Sequence, residues 1–147
     1  MKIVYNGPSK KKLEYKFYEK LEDMVSVIDV MFISCLGGSK TKHIINSNII
    51  KLMKPTSIII NISRGSVINE NHLLDSLKKK IIAGAALDVF ENEPKINSKF
   101  LNLKNVLLSP HNGSGTLETR KKMAIVSCKN IDLYLKTKKC KNSILLN

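Results

Sequence analysis

Residues 53–94 read MKPTSIIINISRGSVINENHLLDSLKKKIIAGAALDVFENEP, and the changes of rhythm inside that stretch decide the fold. Pro55 opens the run Ser57–Ile62, which is almost unbroken in β-branched residues. Such a run suits a strand buried on both faces of a parallel sheet covered by helices. It ends at Arg64 and Gly65. Asn69 can then cap a helix running through Lys80, with Leu73, Leu74 and Leu77 on its buried side. Ile81–Val89 is the next expected strand. Its centre, Ala83-Gly84-Ala85-Ala86, is small enough for a helix or ligand to approach the backbone closely.

The same alternation extends outward in both directions. Upstream, Lys2–Tyr5 and Tyr15–Tyr18 read as short strands, and Leu21–Val27 as a helix with Glu22 and Asp23 in its first turn, where the helix dipole favours them. Val30–Cys35 reads as a strand closed by Leu36-Gly37-Gly38, and Asn46–Met53 as a short helix. Downstream, Val106–Ser109 is a last short strand, and Thr116 can cap a long helix toward Leu135. Strands alternating with helices at crossover spacing define an α/β, Rossmann-like doubly wound parallel sheet.

Composition excludes several classes. The 147 residues are 43% hydrophobic and 25% charged, which is globular rather than disordered. No apolar run is long enough to span a membrane, and Met1–Pro8 has no apolar core of a signal peptide. Cys35, Cys128 and Cys140 are too few and too scattered for a disulfide framework or a zinc site, so a reducing cytosol fits best. Twenty-five basic residues against 12 acidic ones give +13. Only Arg64 and Arg120 among them are arginine, aromatics are 5%, and there is no Trp. Nucleic-acid sites favour arginine forks and stacking aromatics, so the charge reads as a solvated lysine surface and not as a nucleic-acid interface.

Three segments carry candidate chemistry, each just after an expected strand, where ligands bind in open α/β sheets. In Asn61-Ile62-Ser63-Arg64-Gly65 an arginine leaves a buried strand, placed to fork onto a carboxylate or phosphate. Asp88-Val89-Phe90-Glu91-Asn92-Glu93-Pro94 concentrates carboxylates; on composition alone it also reads as a solvated acidic loop. Ser109-Pro110-His111-Asn112-Gly113-Ser114-Gly115-Thr116 sets a histidine before a glycine-rich turn, a candidate general acid/base. His43 and His72, in polar helix-start contexts, read as solvated.

Taken together, the stretch 53–94 followed by NVLLSPHNGSGTLETRKKM (105–123) resembles the D-isomer-specific 2-hydroxyacid dehydrogenase family, with its carboxy-terminal signatures in order. The resemblance runs from Lys2 to Asn142. Leu36-Gly37-Gly38-Ser39-Lys40-Thr41 is similar to a family loop, without its usual proline. The resemblance implies an NAD(P)-dependent oxidoreductase of the glyoxylate/hydroxypyruvate reductase kind, acting on a small 2-oxoacid or D-2-hydroxyacid, and a homodimer. Arg64 would bind the substrate carboxylate and polarise its carbonyl. His111 would protonate the carbonyl oxygen as hydride arrives, and Glu93 would pair with His111. A carboxylate beside an imidazole favours its charged, proton-donating form. Asp88 would sit by the nicotinamide carboxamide. Ile62, Ser63, Arg64, His111, Gly113 and Ser114 would line the cofactor.

The chain contains no G-x-G-x-x-G. Residues 1–147 therefore read as a partial NAD(P)-binding domain with its carboxy-terminal helix, without the first strand, glycine-rich loop and substrate domain of the family. On that reading the strand at Lys2–Tyr5 and the strand at Val30–Cys35 each lose a neighbour, unless they pair directly with each other. The isolated chain is expected to turn over no 2-oxoacid. The alternative is an inactive fragment or a corepressor-like binding module of the same fold. For cofactor choice, no carboxylate follows Lys2–Tyr5 until Glu14. Asn6 and Ser9 could bond a 2′-phosphate and Lys10 neutralise it, which favours NADP over NAD. Lysines that simply face solvent are the other reading.

Overall fold

The structure is a computed structural model and describes residues 1–140 and 142; Lys141, near the end of the family resemblance, lies outside the described residues. It divides into two compact units, 1–111 and 112–147.

In the first unit the strands are β1 (Val4–Asn6), β2 (Lys16–Tyr18), β3 (Val30–Ile33), β4 (Ile58–Asn61), β5 (Gly84–Leu87) and β6 (Val106–Leu108). The helices are α1 (Leu21–Val25), α2 (Ser47–Lys51) and α3 (Glu70–Lys78). All strand pairs are parallel. β3, β4, β5 and β6 form one sheet in that order, and β1 with β2 forms a separate two-stranded sheet. The direct pairing of the first strand with β3 does not occur: β1 is hydrogen-bonded to β2, and β3 to β4.

The α/β alternation appears as expected, with shorter elements. The expected strand Ile81–Val89 pairs only over Gly84–Leu87. Lys80 takes a left-handed conformation (φ 54°) and the chain bends through Ile81–Ala83 before joining the sheet. An apolar run records burial, and burial extends past the ladder. Polar caps mark the helix starts more sharply. Asn46 accepts from the amides of Asn48 and Ile49, and Asn69 accepts from that of His72.

β4 departs from the expected burial on both faces. Ile59 and Asn61 are buried, whereas Ile58 is 39% exposed. The core lies on one face only. There Met31, Ile33, Ile59, Ala85 and Leu87 pack with Val25 of α1, Ile49 and Ile50 of α2, and Leu73, Leu74 and Leu77 of α3. Val30, Phe32 and Leu107, on the alternating positions, are exposed.

The second unit is dominated by α4 (Leu117–Thr137). Thr116 caps it by accepting from the Thr119 amide, and Lys138 ends it in a left-handed conformation. No helix among the described residues is long and apolar enough to cross a membrane.

Candidate active site

The candidate residues lie beyond the carboxyl ends of β4, β5 and β6. The turn after β4 is built by a buried amide. Asn61, 1% exposed, accepts from the Ser63 amide at 3.0 Å and donates to the Arg64 carbonyl at 3.1 Å. Ser63 is also buried, and its hydroxyl donates to the Cys35 carbonyl at the end of β3. This interlock leaves Ile62 and Arg64 facing outward, both exposed. The Arg64 guanidinium returns one bond to the Ser63 carbonyl, at 2.7 Å. Its aliphatic stem covers Gly37, where an added Cβ would come within 2.5 Å of Arg64 Cγ. Only glycine lets the two loops meet so closely.

The turn after β5 follows Asp88, whose amide donates to the Asn61 carbonyl at 3.0 Å. Phe90 is buried, and its amide donates to Glu93 Oε1 at 2.9 Å. Glu93 thus closes its own turn with one oxygen and holds the other free of that turn. Glu93 Oε2 lies 2.7 Å from His111 Nδ1. The Glu93–Pro94 bond is cis, and His111 is left-handed at φ 52°. The hydrogen bond with His111 and the Phe90 amide hold Glu93 below the usual carboxylate range, and the charge of Arg64 acts in the same direction. Because Nδ1 faces Glu93, Nε2 is the ring nitrogen left for a reacting atom.

The structure therefore brings Glu93 and His111 together, within the electrostatic reach of Arg64. Gly113 and Ser114 belong to the second unit. Asn6 ends β1, and its side-chain amide donates to the carbonyls of Tyr18 and Glu19, which ties β1 to the end of β2. Ser9 and Lys10 are exposed, and the Ser9 hydroxyl accepts from Lys11 Nζ.

Sequence reading missed a second histidine–carboxylate pair. His43 Nε2 lies 2.6 Å from Glu91 Oε1, with both side chains about three-quarters or two-thirds covered (26% and 32% exposed for Glu91 and His43). His72 is half-buried too, and its Nδ1 accepts from the Ser47 amide. Neither histidine is simply solvated. Glu70, 7% exposed, accepts from the Glu91 amide at 2.6 Å, and burial pushes its carboxyl up. No local pattern announces these partners, since His43 and Glu91 are 48 positions apart.

A cleft of about 1110 Å³ opens between the carboxyl ends of β1 and β3. It is lined by Asn6, Gly7 and Pro8 on one side and by Phe32 and the loop Leu36–Thr41 on the other. Gly38 there has φ 154°, and a Cβ would meet nothing within 4 Å. Apolar side chains beside hydroxyl, amide and charged groups suit a dinucleotide, so the residues present fit such a cofactor.

A parallel sheet with a cleft and a histidine–carboxylate pair at its carboxyl edge defines a dinucleotide-binding α/β domain. The family described as D-isomer specific 2-hydroxyacid dehydrogenase, NAD binding domain, matches residues 1–113. The chain belongs to that family. It is 39% identical over 137 residues to hydroxyphenylpyruvate reductase of Plectranthus scutellarioides, covering 92% of this chain and 44% of that protein. It is 41% identical over 140 residues to glyoxylate reductase of Thermococcus litoralis, covering 92% and 42%. Among solved structures, it is similar to an NADPH-dependent glyoxylate/hydroxypyruvate reductase of Sinorhizobium meliloti in complex with NADP and malonate, with TM-score 0.93, 29% identity, and 96% and 44% coverage. The chain thus spans less than half the length of these relatives.

Proposed function

We propose that residues 1–147 are part of an NAD(P)-dependent reductase that interconverts a small 2-oxoacid, of the glyoxylate or hydroxypyruvate kind, and its D-2-hydroxyacid. The observation that carries the reading is the Glu93–His111 pair at 2.7 Å beside Arg64. An arginine fork binds the substrate carboxylate and draws electron density from the neighbouring carbonyl. His111, oriented through Nδ1 by Glu93, delivers a proton from Nε2 to the carbonyl oxygen. Glu93 stays ionised throughout and stabilises the charged imidazole. In the reverse direction Nε2 takes the hydroxyl proton back. When bound, the nicotinamide supplies or accepts the hydride.

Asn6, Ser9 and Lys10 would hold the adenosine end of the cofactor. Ile62, Ser63, Asp88, Gly113 and Ser114 would line its nicotinamide end. NADP is favoured over NAD, because the tip beyond β1 offers Ser9, Lys10 and Lys11 and no carboxylate. Assembly as a homodimer belongs to the same proposal and is checked by sedimentation.

The test uses a chimera that joins this chain to the amino-terminal half of the Thermococcus litoralis glyoxylate reductase. It should oxidise NADPH with glyoxylate or hydroxypyruvate. Arg64→Ala should raise KM for the 2-oxoacid roughly 100-fold, the loss of a charge-assisted carboxylate contact. A chimera that binds the cofactor and turns over no 2-oxoacid contradicts the proposal and leaves a binding module of this fold.

A further inference from the structure

The turn Phe90–Pro94 carries two glutamates with different partners. Glu93 reaches forward to His111, and Glu91 reaches back to His43. His43 belongs to no part of the reaction proposed above. It is nevertheless held as firmly as the acid/base pair. Its backbone is left-handed at φ 53°, and its amide donates to the Ser66 carbonyl at 2.8 Å. A half-buried residue that keeps an unfavourable backbone conformation is over-determined by its surroundings.

The turn itself is gripped from three sides. Glu70, buried at the start of α3, accepts the Glu91 amide at 2.6 Å. Gly65, the residue after Arg64, lies so close that an added Cβ would overlap the Phe90 carbonyl and the Glu91 amide. His43 takes the Glu91 carboxylate at 2.6 Å. The charged groups facing the turn are then His43 and Glu70 behind it, and Arg64 and His111 in front. Glu93 is only two residues from Glu91, and its own bond to the Phe90 amide is set by the path of this turn.

We propose that His43 and Glu91 are a positioning pair. By fixing the Glu91 side of the Phe90–Pro94 turn, they aim Glu93 Oε2 at His111 Nδ1 and so set the geometry of the acid/base pair. His43 also closes the segment that follows the cleft-lining loop Leu36–Thr41. The pair therefore links the wall of the cofactor cleft to the carboxylate that orients the acid. The role assigned to Glu93 and His111 rests on the proposed function; the alignment of the two does not.

The test is the titration of the Glu93 carboxyl carbon by NMR in the full 147-residue chain. Its low midpoint depends first on the hydrogen bond with His111. His43→Ala and Glu91→Ala should raise the midpoint toward the ordinary value of about 4.3, in the direction of the His111→Ala reference. His43→Gln keeps a donor for Glu91 and should restore the low midpoint. His72→Ala, a histidine tied to Ser47 instead, should leave it unchanged. A Glu93 midpoint unmoved in folded His43→Ala and Glu91→Ala overturns the proposal. A rise that His43→Gln does not reverse also overturns it, because it marks general loosening. Turnover plays no part in the readout, so a failed reductase assay and a failed positioning test remain separate results.

Discussion

The turns after β4 and β5 differ sharply from the turn after β1, although all three stand at carboxyl ends of parallel strands. After β4 and β5, functional side chains are exposed but their supports are buried: Asn61, Ser63, Gly65, Glu70 and Phe90. After β1, the supports Tyr5 and Asn6 are only half-buried, and none is fully buried. Tyr5 and Lys11 exchange two hydrogen bonds across the turn, and Lys11 reaches Ser9. A site that orients a reacting atom requires a rigid surround, whereas a loop that neutralises a charge requires only the right charge nearby. On the proposed function, the first region would carry the chemistry and the second the affinity for the cofactor.

Glycine substitution gives the largest contrast. Gly65→Ala pushes a methyl into the Phe90–Glu91 backbone and should destabilise the chain by about 2 kcal/mol. Gly7→Ala meets nothing within 4 Å and should change stability by less than about 0.5 kcal/mol. Urea melts of the two variants check this, and equal losses would erase the distinction.

The paired asparagines sharpen it. Asn61→Ala leaves the Ser63 amide and the Arg64 carbonyl without partners in a buried turn, at a cost of about 1–3 kcal/mol. Asn6→Ala removes bonds that water can replace and should cost about 1 kcal/mol or less.

Acid separates the two carboxylates within the rigid region. Glu93 sits below its unfolded value, so its contribution is complete above about pH 4.3 and is lost as pH falls through its folded value. Glu70 sits above its unfolded value, so its burial costs nothing below about pH 4.3 and costs most once pH exceeds the folded value. Relative to the unsubstituted chain, Glu70→Gln should gain melting temperature as pH rises from 4 to 7, and Glu93→Gln should lose it as pH rises from below its folded value to about 4.3.

The smallest effect belongs to the exposed turn. In the chimera, Lys10→Ala with Lys11→Ala should weaken NADPH roughly tenfold and leave NADH unchanged. Unaltered NADPH affinity, or equal affinity for both cofactors in the unsubstituted chimera, assigns these lysines to solvent.

Sequence reading reached what is local and lost what is remote. The Ser57–Ile62 run, the caps at Asn69 and Thr116, and the three segments that carry Arg64, Glu93 and His111 are all short-range patterns. They expose the succession of elements along the chain and the strand ends where candidate site residues gather. That β4 is covered mainly on one face is not legible, because a β-branched run has the same composition whether one face or two are covered. His43 looked solvated because its polar neighbours are near in sequence and Glu91 is far. Glu70 has no such local signal either, and only the close approach of the Phe90–Pro94 turn makes it an internal acceptor.

The central claim is that His111, aimed by Glu93, is the proton donor to a 2-oxoacid. It is tested most directly by the single-turnover rate of glyoxylate reduction in the chimera at saturating NADPH, with and without His111→Ala. The account predicts a loss of roughly 100- to 10,000-fold, the usual weight of a general acid, with cofactor affinity kept. Equal rates in the two proteins would contradict it.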